Sequence, residues 1–96
     1  MNPFSLEDKL IIVTGASSGI GRQCAIDCSK MGAIVVLIAR DEERLKETIA
    51  QMEYPERHCY YSIDLSDIDQ IRLLVDNIVS ANGKIDAYVH AAGDRK

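Results

Sequence analysis

The apolar residues of the chain form short continuous runs, and helical periodicity fills the segments between them. Lys9–Val13 and Ala33–Ala39 are largely β-branched and continuous, as expected for strands buried on both faces of a parallel sheet. His58–Ile63 and Ile85–His90 are two further candidate strands. His58–Ile63 is more polar than the first two runs, which places it nearer the edge of the predicted sheet.

The first two intervening segments predict amphipathic helices. Ile20–Met31 has four residues at helical spacing: Ile20, Cys24, Cys28 and Met31. Gly32 follows at the position where a helix ends in a left-handed conformation. Asp41–Glu53 has acids in its first turn, where the helix dipole favours them. Its inner face is marked by Leu45, Ile49 and Met52.

A third helix is expected to open at Ser66, because Ser66–Asp69 resembles a capping box with Asp in place of Glu. It carries an apolar stripe and ends at Asn82–Gly83; the stripe is Ile68, Ile71, Val75 and Ile78. Right-handed crossovers then predict a parallel sheet of order 3-2-1-4. This is half of a doubly wound α/β fold, truncated after the fourth strand.

Composition limits the classes of function. The 96 residues are 47% hydrophobic and 27% charged, which is typical of one small globular domain. The net charge of −4 and the scattered basic residues argue against nucleic acid as a partner. The apolar runs are too short for a membrane span of roughly 20 residues. The start lacks the pattern of a secretory signal.

The cysteines indicate neither a disulfide scaffold nor a metal site. Cys24, Cys28 and Cys59 are odd in number, whereas secreted disulfide frameworks use pairs. Their spacing from one another and from His58 and His90 does not match a zinc site. We interpret them as buried thiols of a protein in the reducing cytoplasm.

A glycine-rich loop, Thr14–Gly21, lies between the first predicted strand and the first helix. A nucleotide-binding turn belongs at this place, since a helix N-terminus presents free N–H groups and partial positive charge to a pyrophosphate. Gly15 and Gly19 allow a tight backbone, and Gly21 allows the helix to pack on the strand. Ile20 occupies the position after Gly15 where a P-loop would need glycine.

The spacing Gly-x-x-x-Gly-x-Gly resembles the first motif of the short-chain dehydrogenase/reductase family, and the resemblance extends from about Leu6 to Gly93. Asp64–Leu65 is similar to the family's adenine-contacting motif. His90–Gly93, read His-Ala-Ala-Gly, is similar to a motif usually written Asn-Asn-Ala-Gly beside the cofactor. The chain departs from that motif at its first two positions, where the contacts to the cofactor are largely made by the backbone.

The resemblance implies that residues 1–96 are a partial NAD(P)-binding Rossmann-like domain. The cofactor-binding residues that it implies are Gly15, Ser17, Ser18, Gly19, Ile20, Gly21, Arg40, Asp64, Leu65, Ala91, Ala92 and Gly93. Two residues of these motifs, Asp64 and His90, have a second interpretation. Asp64 also stands just ahead of the third predicted helix. His90 is either a general base or a strand-ending histidine that hydrogen-bonds a neighbouring loop.

The end of the second strand bears on the choice of dinucleotide. An acid there would bind the ribose hydroxyls of NAD and repel a 2′-phosphate. Ala39 stands at that position and Arg40 follows, and a guanidinium suits a phosphate. Ser17 is similar to a family residue that also reaches the 2′-phosphate. We therefore expect NADP rather than NAD, unless Arg40 is only a solvated residue ahead of its helix.

The family's catalytic pair, Tyr-x-x-x-Lys, is not found in these residues. The fourth residues after Tyr54, Tyr60, Tyr61 and Tyr88 are His58, Asp64, Leu65 and Ala92. No catalytic residue is therefore assigned. The resemblance implies the cofactor-binding half of an oxidoreductase acting on a small carbonyl/alcohol pair, and this half alone is expected to be inactive. The alternative is a stand-alone dinucleotide-binding module or a truncated product without catalytic activity. The exposed edge of the fourth strand favours a homo-oligomer.

Overall fold

The computed structural model describes residues 6–17 and 19–91. Its strands are β1 Leu10–Thr14, β2 Ile34–Ala39, β3 Cys59–Ser62 and β4 Ala87–His90. Its α-helices are α1 Gly19–Lys30, α2 Glu42–Gln51 and α3 Ile68–Asn82, and a 3₁₀ turn spans Pro55–Arg57. The sheet has the order β3-β2-β1-β4 and all its pairs are parallel. The predicted strand order and the edge position of β3 are confirmed.

Helices cover both faces of β1 and β2, which explains why the sequences of these two strands are continuously apolar. All of β1 is buried. Ile11 and Val13 pack into the layer formed with α1 and α2, whereas Leu10 and Ile12 pack into the layer formed with α3. β2 alternates between the two layers in the same way. The fold is therefore doubly wound and Rossmann-like, as the sequence predicts.

The first helix ends before Gly32, as predicted, whereas the second is shorter than the predicted Asp41–Glu53 at both ends. Gly32 has φ +97°, and its N–H donates to the Ser29 carbonyl at 3.1 Å while the N–H of Ala33 donates to the Cys28 carbonyl at 3.1 Å. This pair of bonds closes α1 in a Schellman motif. Asp41 is the N-cap of α2, and its carboxylate accepts from the N–H of Arg44 at 3.2 Å.

The predicted start of the third helix is wrong by one residue. The Ser66 hydroxyl donates to the Asp64 carboxylate at 2.8 Å. Asp67 caps the helix instead, accepting from the N–H of Gln70 at 3.2 Å. The predicted stripe is confirmed at Ile78, which is buried, and at Val75, which packs against the core, but Ile68 is 64% exposed. Leu74 is buried although the predicted stripe does not contain it.

The prediction of buried thiols is wrong for the described structure. Cys59 is exposed, and Cys24 and Cys28 are only half-buried. The reason is that α1 packs on the sheet through small residues, which turns its apolar stripe outward; the buried residues are Gly21, Ala25, Ile26 and Ser29. Partial burial and the adjacent Cys24 thiol raise the pKa of Cys28 to about 11. In residues 6–17 and 19–91, no helix is long and apolar enough to cross a bilayer.

Candidate dinucleotide-binding site

A groove of about 640 Å³ lies at the carboxyl ends of the strands. The ends of parallel strands meet at one edge of a sheet, and the loops that follow them form this groove. The lining residues come from the glycine loop and from the segments after β2, β3 and β4: Gly15, Ser17, Ala39, Arg40, Asp41, Arg44, Asp64, Leu65, Ser66, His90 and Ala91.

Close backbone packing explains the glycines at two positions of the loop. A Cβ on Gly15 would overlap the carbonyl oxygen of Ala91, and a Cβ on Gly21 would overlap the carbonyl oxygen of Gly15. The end of β4, the loop and the start of α1 are therefore packed backbone against backbone. Gly19 has φ +57°, and an added Cβ would have no heavy atom of the described residues within 4 Å, apart from its chain neighbours. The loop is thus open beside the first residue of α1.

Side chains of α1 and α2 fix the carbonyls of the glycine loop. The buried Thr48 hydroxyl lies 2.9 Å from the carbonyl oxygen of Ala16 and 3.0 Å from that of Arg44, and donates to either. Arg22 donates from Nε to the Thr48 hydroxyl at 2.8 Å. Its Nη2 donates to the Ser17 carbonyl at 2.8 Å and to the Arg44 carbonyl at 3.1 Å. These bonds connect the loop to α2 independently of any ligand.

At the other end of the groove, Arg40 lies between two side chains from the end of β3. The Ser62 hydroxyl donates to the Arg40 carbonyl at 2.7 Å. The Arg40 guanidinium lies 3.6 Å from Asp64 Oδ2. Asp64 Oδ1 accepts from the N–H of Ser66 at 2.9 Å and from its hydroxyl at 2.8 Å. These two bonds, with a smaller contribution from Arg40, lower the pKa of Asp64.

Arg44 is a second cation of this end of the groove, and the sequence analysis missed it. Its Nε lies 3.6 Å from Asp41 Oδ2, and both side chains are more than half exposed. The available signal was its spacing, because Arg44 follows Arg40 by four residues and falls in the first turn of α2.

His90 is bonded to the neighbouring strand. Its Nδ1 lies 2.8 Å from the hydroxyl oxygen of the buried Thr14. The sequence predicts a hydrogen bond from His90 to a loop, but the partner is a side chain of β1. This bond joins the carboxyl ends of β1 and β4. The next residues of the two strands, Gly15 and Ala91, are packed against each other.

The structure brings six of the predicted site residues to the groove: Gly15, Ser17, Arg40, Asp64, Leu65 and Ala91. Gly19, Ile20 and Gly21 form the first turn of α1, beside the lining. Ser18, Ala92 and Gly93 lie outside the described residues. In the part of the chain that the structure describes, no three His, Cys, Asp or Glu side chains are grouped as metal ligands.

The strand order reverses between β1 and β4, and the glycine turn stands between β1 and α1. These features define the class of Rossmann-like α/β proteins. The family model described as short chain dehydrogenase matches residues 9–96. The chain belongs to this family of oxidoreductases.

Relatives with this fold are considerably longer. The 3beta-hydroxysteroid dehydrogenase of Mediterraneibacter gnavus is 40% identical over 88 residues, which cover 91% of this chain and 32% of that protein. A short chain dehydrogenase from Salmonella enterica serovar Typhi has a TM-score of 0.82 at 31% identity, covering 98% and 41% of the two chains. L-Sorbose reductase from Gluconobacter frateurii, complexed with NADPH and L-sorbose, has a TM-score of 0.83 at 29% identity, covering 99% and 37%. The chain therefore spans between 32% and 41% of these relatives.

Proposed function

We propose that the chain binds NADP(H) in this groove and prefers it to NAD(H). The observation that carries the proposal is the lining of the groove after β2, where Arg40 follows Ala39 and no acid ends the strand. The dinucleotide fits the residues present, because the loop beside Gly19 is open and two arginines line the opposite end. The NADPH complex of the similar L-sorbose reductase supports this choice.

Each part of the groove has a proposed role. The glycine loop and the first turn of α1 hold the pyrophosphate with N–H groups; these residues are Gly15, Ser17, Ser18, Gly19, Ile20 and Gly21. Arg40 binds the 2′-phosphate and Ser17 assists it. Asp64 and Leu65 contact the adenine. The segment after β4, with Ala91, Ala92 and Gly93, lies along the cofactor.

For the whole protein we propose hydride transfer between this cofactor and a small carbonyl/alcohol pair. The nicotinamide supplies or accepts the hydride when the cofactor is bound. Since these 96 residues contain no Tyr-x-x-x-Lys, we propose that they form a partial domain and contribute the binding of the cofactor without turnover. Cytoplasmic location and homo-oligomerisation stay predictions.

Adenosine 2′,5′-bisphosphate and adenosine 5′-monophosphate test the proposal, because they differ only in the 2′-phosphate. We expect calorimetry to show tighter binding of the bisphosphate. A charge-assisted hydrogen bond is worth about 1.5–3 kcal/mol, or roughly 10- to 150-fold. Arg40 is 76% exposed, and solvent screening places the expected preference near the low end, about tenfold.

The substitution Arg40→Met should remove most of this preference and leave the affinity for the monophosphate nearly unchanged. Arg72→Met is the matched control, since Arg72 is an exposed arginine of α3 outside the groove lining. Equal affinities for the two nucleotides in the unmodified protein would refute the NADP preference. If the preference for the bisphosphate survives Arg40→Met, another residue must be responsible for it, and Arg44 would be the next residue to replace.

A further inference from the structure

Arg40 already has an anionic partner, and that partner lines the same groove. Its guanidinium lies 3.6 Å from Asp64 Oδ2, across the ends of β2 and β3. The two side chains are 76% and 51% exposed. A ligand phosphate that binds Arg40 therefore meets a guanidinium whose charge is partly compensated.

We propose that Asp64 is a specificity-determining residue that competes with the 2′-phosphate for Arg40 and so weakens the preference for 2′-phosphorylated adenosine. This inference rests on the proposed role of Arg40. It gives Asp64 a function separate from any contact with the adenine ring.

The hydrogen bonds around Asp64 indicate that its carboxylate competes with a phosphate for Arg40 and does not orient Arg40 toward that phosphate. Ser66 holds Oδ1 with its N–H at 2.9 Å and its hydroxyl at 2.8 Å, so the carboxylate has a fixed position whether or not Arg40 is near. Asp64 Oδ2 and Arg40 Nη1 are separated by 3.6 Å. At this distance the two charges attract each other but do not form a directional hydrogen bond.

The backbone of Arg40 is positioned without Asp64. The Ser62 hydroxyl donates to the Arg40 carbonyl at 2.7 Å, and β2 pairs with β3 through Ala39 and Ser62. Loss of the Asp64 carboxylate therefore leaves the strand end in place and releases only the guanidinium. A released guanidinium is free to form charge-assisted bonds with a phosphate.

The test measures the ratio of the dissociation constants for adenosine 5′-monophosphate and adenosine 2′,5′-bisphosphate before and after Asp64→Asn. Both nucleotides carry the same adenine, so a lost adenine contact cancels in the ratio. Exposed ion pairs are worth about 0.2–1 kcal/mol, and we therefore expect the ratio to rise by about 1.4- to fivefold. The increase should shrink in high salt, which screens exposed charges.

Two control variants separate the possible explanations. Asp76→Asn removes the same charge from the exposed face of α3 and should leave the ratio unchanged. In an Arg40→Met background, Asp64→Asn should lose most of its effect on the ratio, because the competition needs Arg40. Circular dichroism and thermal unfolding verify that each variant is folded.

The outcomes also separate this inference from the proposed function. If Arg40→Met removes the preference but Asp64→Asn does not raise it, only the competition by Asp64 is refuted. A ratio that falls after Asp64→Asn would overturn the inference in favour of an aligning role for Asp64. An equal rise with and without Arg40 would overturn it as well. An unmodified protein without preference refutes both proposals.

Discussion

The two ends of the groove are built differently. At the glycine loop, a buried threonine and a half-buried arginine fix carbonyl oxygens through bonds of 2.8 to 2.9 Å. In the part of the groove that follows β2, the side chains of Arg40 and Arg44 are exposed and each lies 3.6 Å from an acid. Buried, fully bonded networks are costly to change, whereas exposed pairs contribute little to stability. Under the proposed function, the rigid end binds the pyrophosphate common to all dinucleotides, and the exposed end distinguishes between them.

The largest expected effect is the difference in stability between the variants Gly15→Ala and Gly83→Ala. Both glycines have positive φ, +70° and +90°, so alanine is strained at each. At Gly15 the added Cβ would also overlap the Ala91 carbonyl, whereas at Gly83 it would have no atom of the described residues within 4 Å beyond its chain neighbours. We expect Gly83→Ala to lower the free energy of unfolding by about 1–2 kcal/mol and Gly15→Ala by at least about 2 kcal/mol more.

Urea unfolding of the two variants measures this difference. Gly15→Ala should also weaken binding of adenosine 2′,5′-bisphosphate, whereas Gly83→Ala should leave it unchanged. Similar losses of stability in the two variants would mean that β4 moves away from the loop at little cost, and the description of a rigid end would then be wrong.

The same contrast explains how far the sequence predicts the structure. β1 and β2 are identified by continuous apolar runs, because a strand buried on both faces has to be apolar throughout. The glycine loop is found because its conformation and close packing require glycine at fixed spacing. β4 begins at Ala87 rather than at the predicted Ile85, and a lightly buried edge strand has a weak periodic signal.

Contacts between side chains are what the sequence does not reveal. Ser66 looks like a helix cap, yet its hydroxyl bonds Asp64, and nothing in the local pattern separates these outcomes. Thr48 reads as a polar residue of a surface helix but is fully buried under the loop. The ion pair of Arg40 joins the ends of two strands that are distant in sequence, so local spacing cannot predict it.

Replacement of Thr48 tests the network beneath the loop. Thr48→Val keeps the shape but leaves the Ala16 carbonyl and the Nε of Arg22 without this partner. Removal of one member of a buried hydrogen bond costs about 1–3 kcal/mol, and we expect that loss in urea unfolding. Affinity for both adenine nucleotides should fall together, so that their ratio stays constant, unlike the result expected for Arg40→Met.

Thr48→Ser is the matched control, because it keeps the hydroxyl and loses one methyl group. It should lower stability by about 1 kcal/mol through lost packing and retain normal nucleotide binding. If Thr48→Val changed the ratio of the two affinities, the loop would take part in recognition of the 2′-phosphate, and the proposed division between the two ends would fail.

The smallest expected effect is the contribution of Asp64 to the pH dependence of the protein's stability. The N–H and hydroxyl of Ser66, with help from Arg40, lower the pKa of this carboxyl in the folded protein. The unfolded chain then binds a proton more readily, so the contribution of Asp64 is complete above about pH 4, the usual range of an Asp. It is lost as the pH falls through the lower folded pKa.

Unfolding by urea at pH 7, 5 and 3 therefore separates Asp64→Asn from the unmodified protein. The stability difference between the two should be constant from pH 7 to pH 5 and smaller at pH 3, because the carboxyl of the unfolded chain binds a proton there and the bonds to Ser66 and Arg40 then favour folding less. Asp76→Asn controls for the general loss of a surface charge. A difference that persists unchanged at pH 3 would show that Asp64 contributes through the geometry of its turn rather than through its charge, and would weaken the case for competition at Arg40.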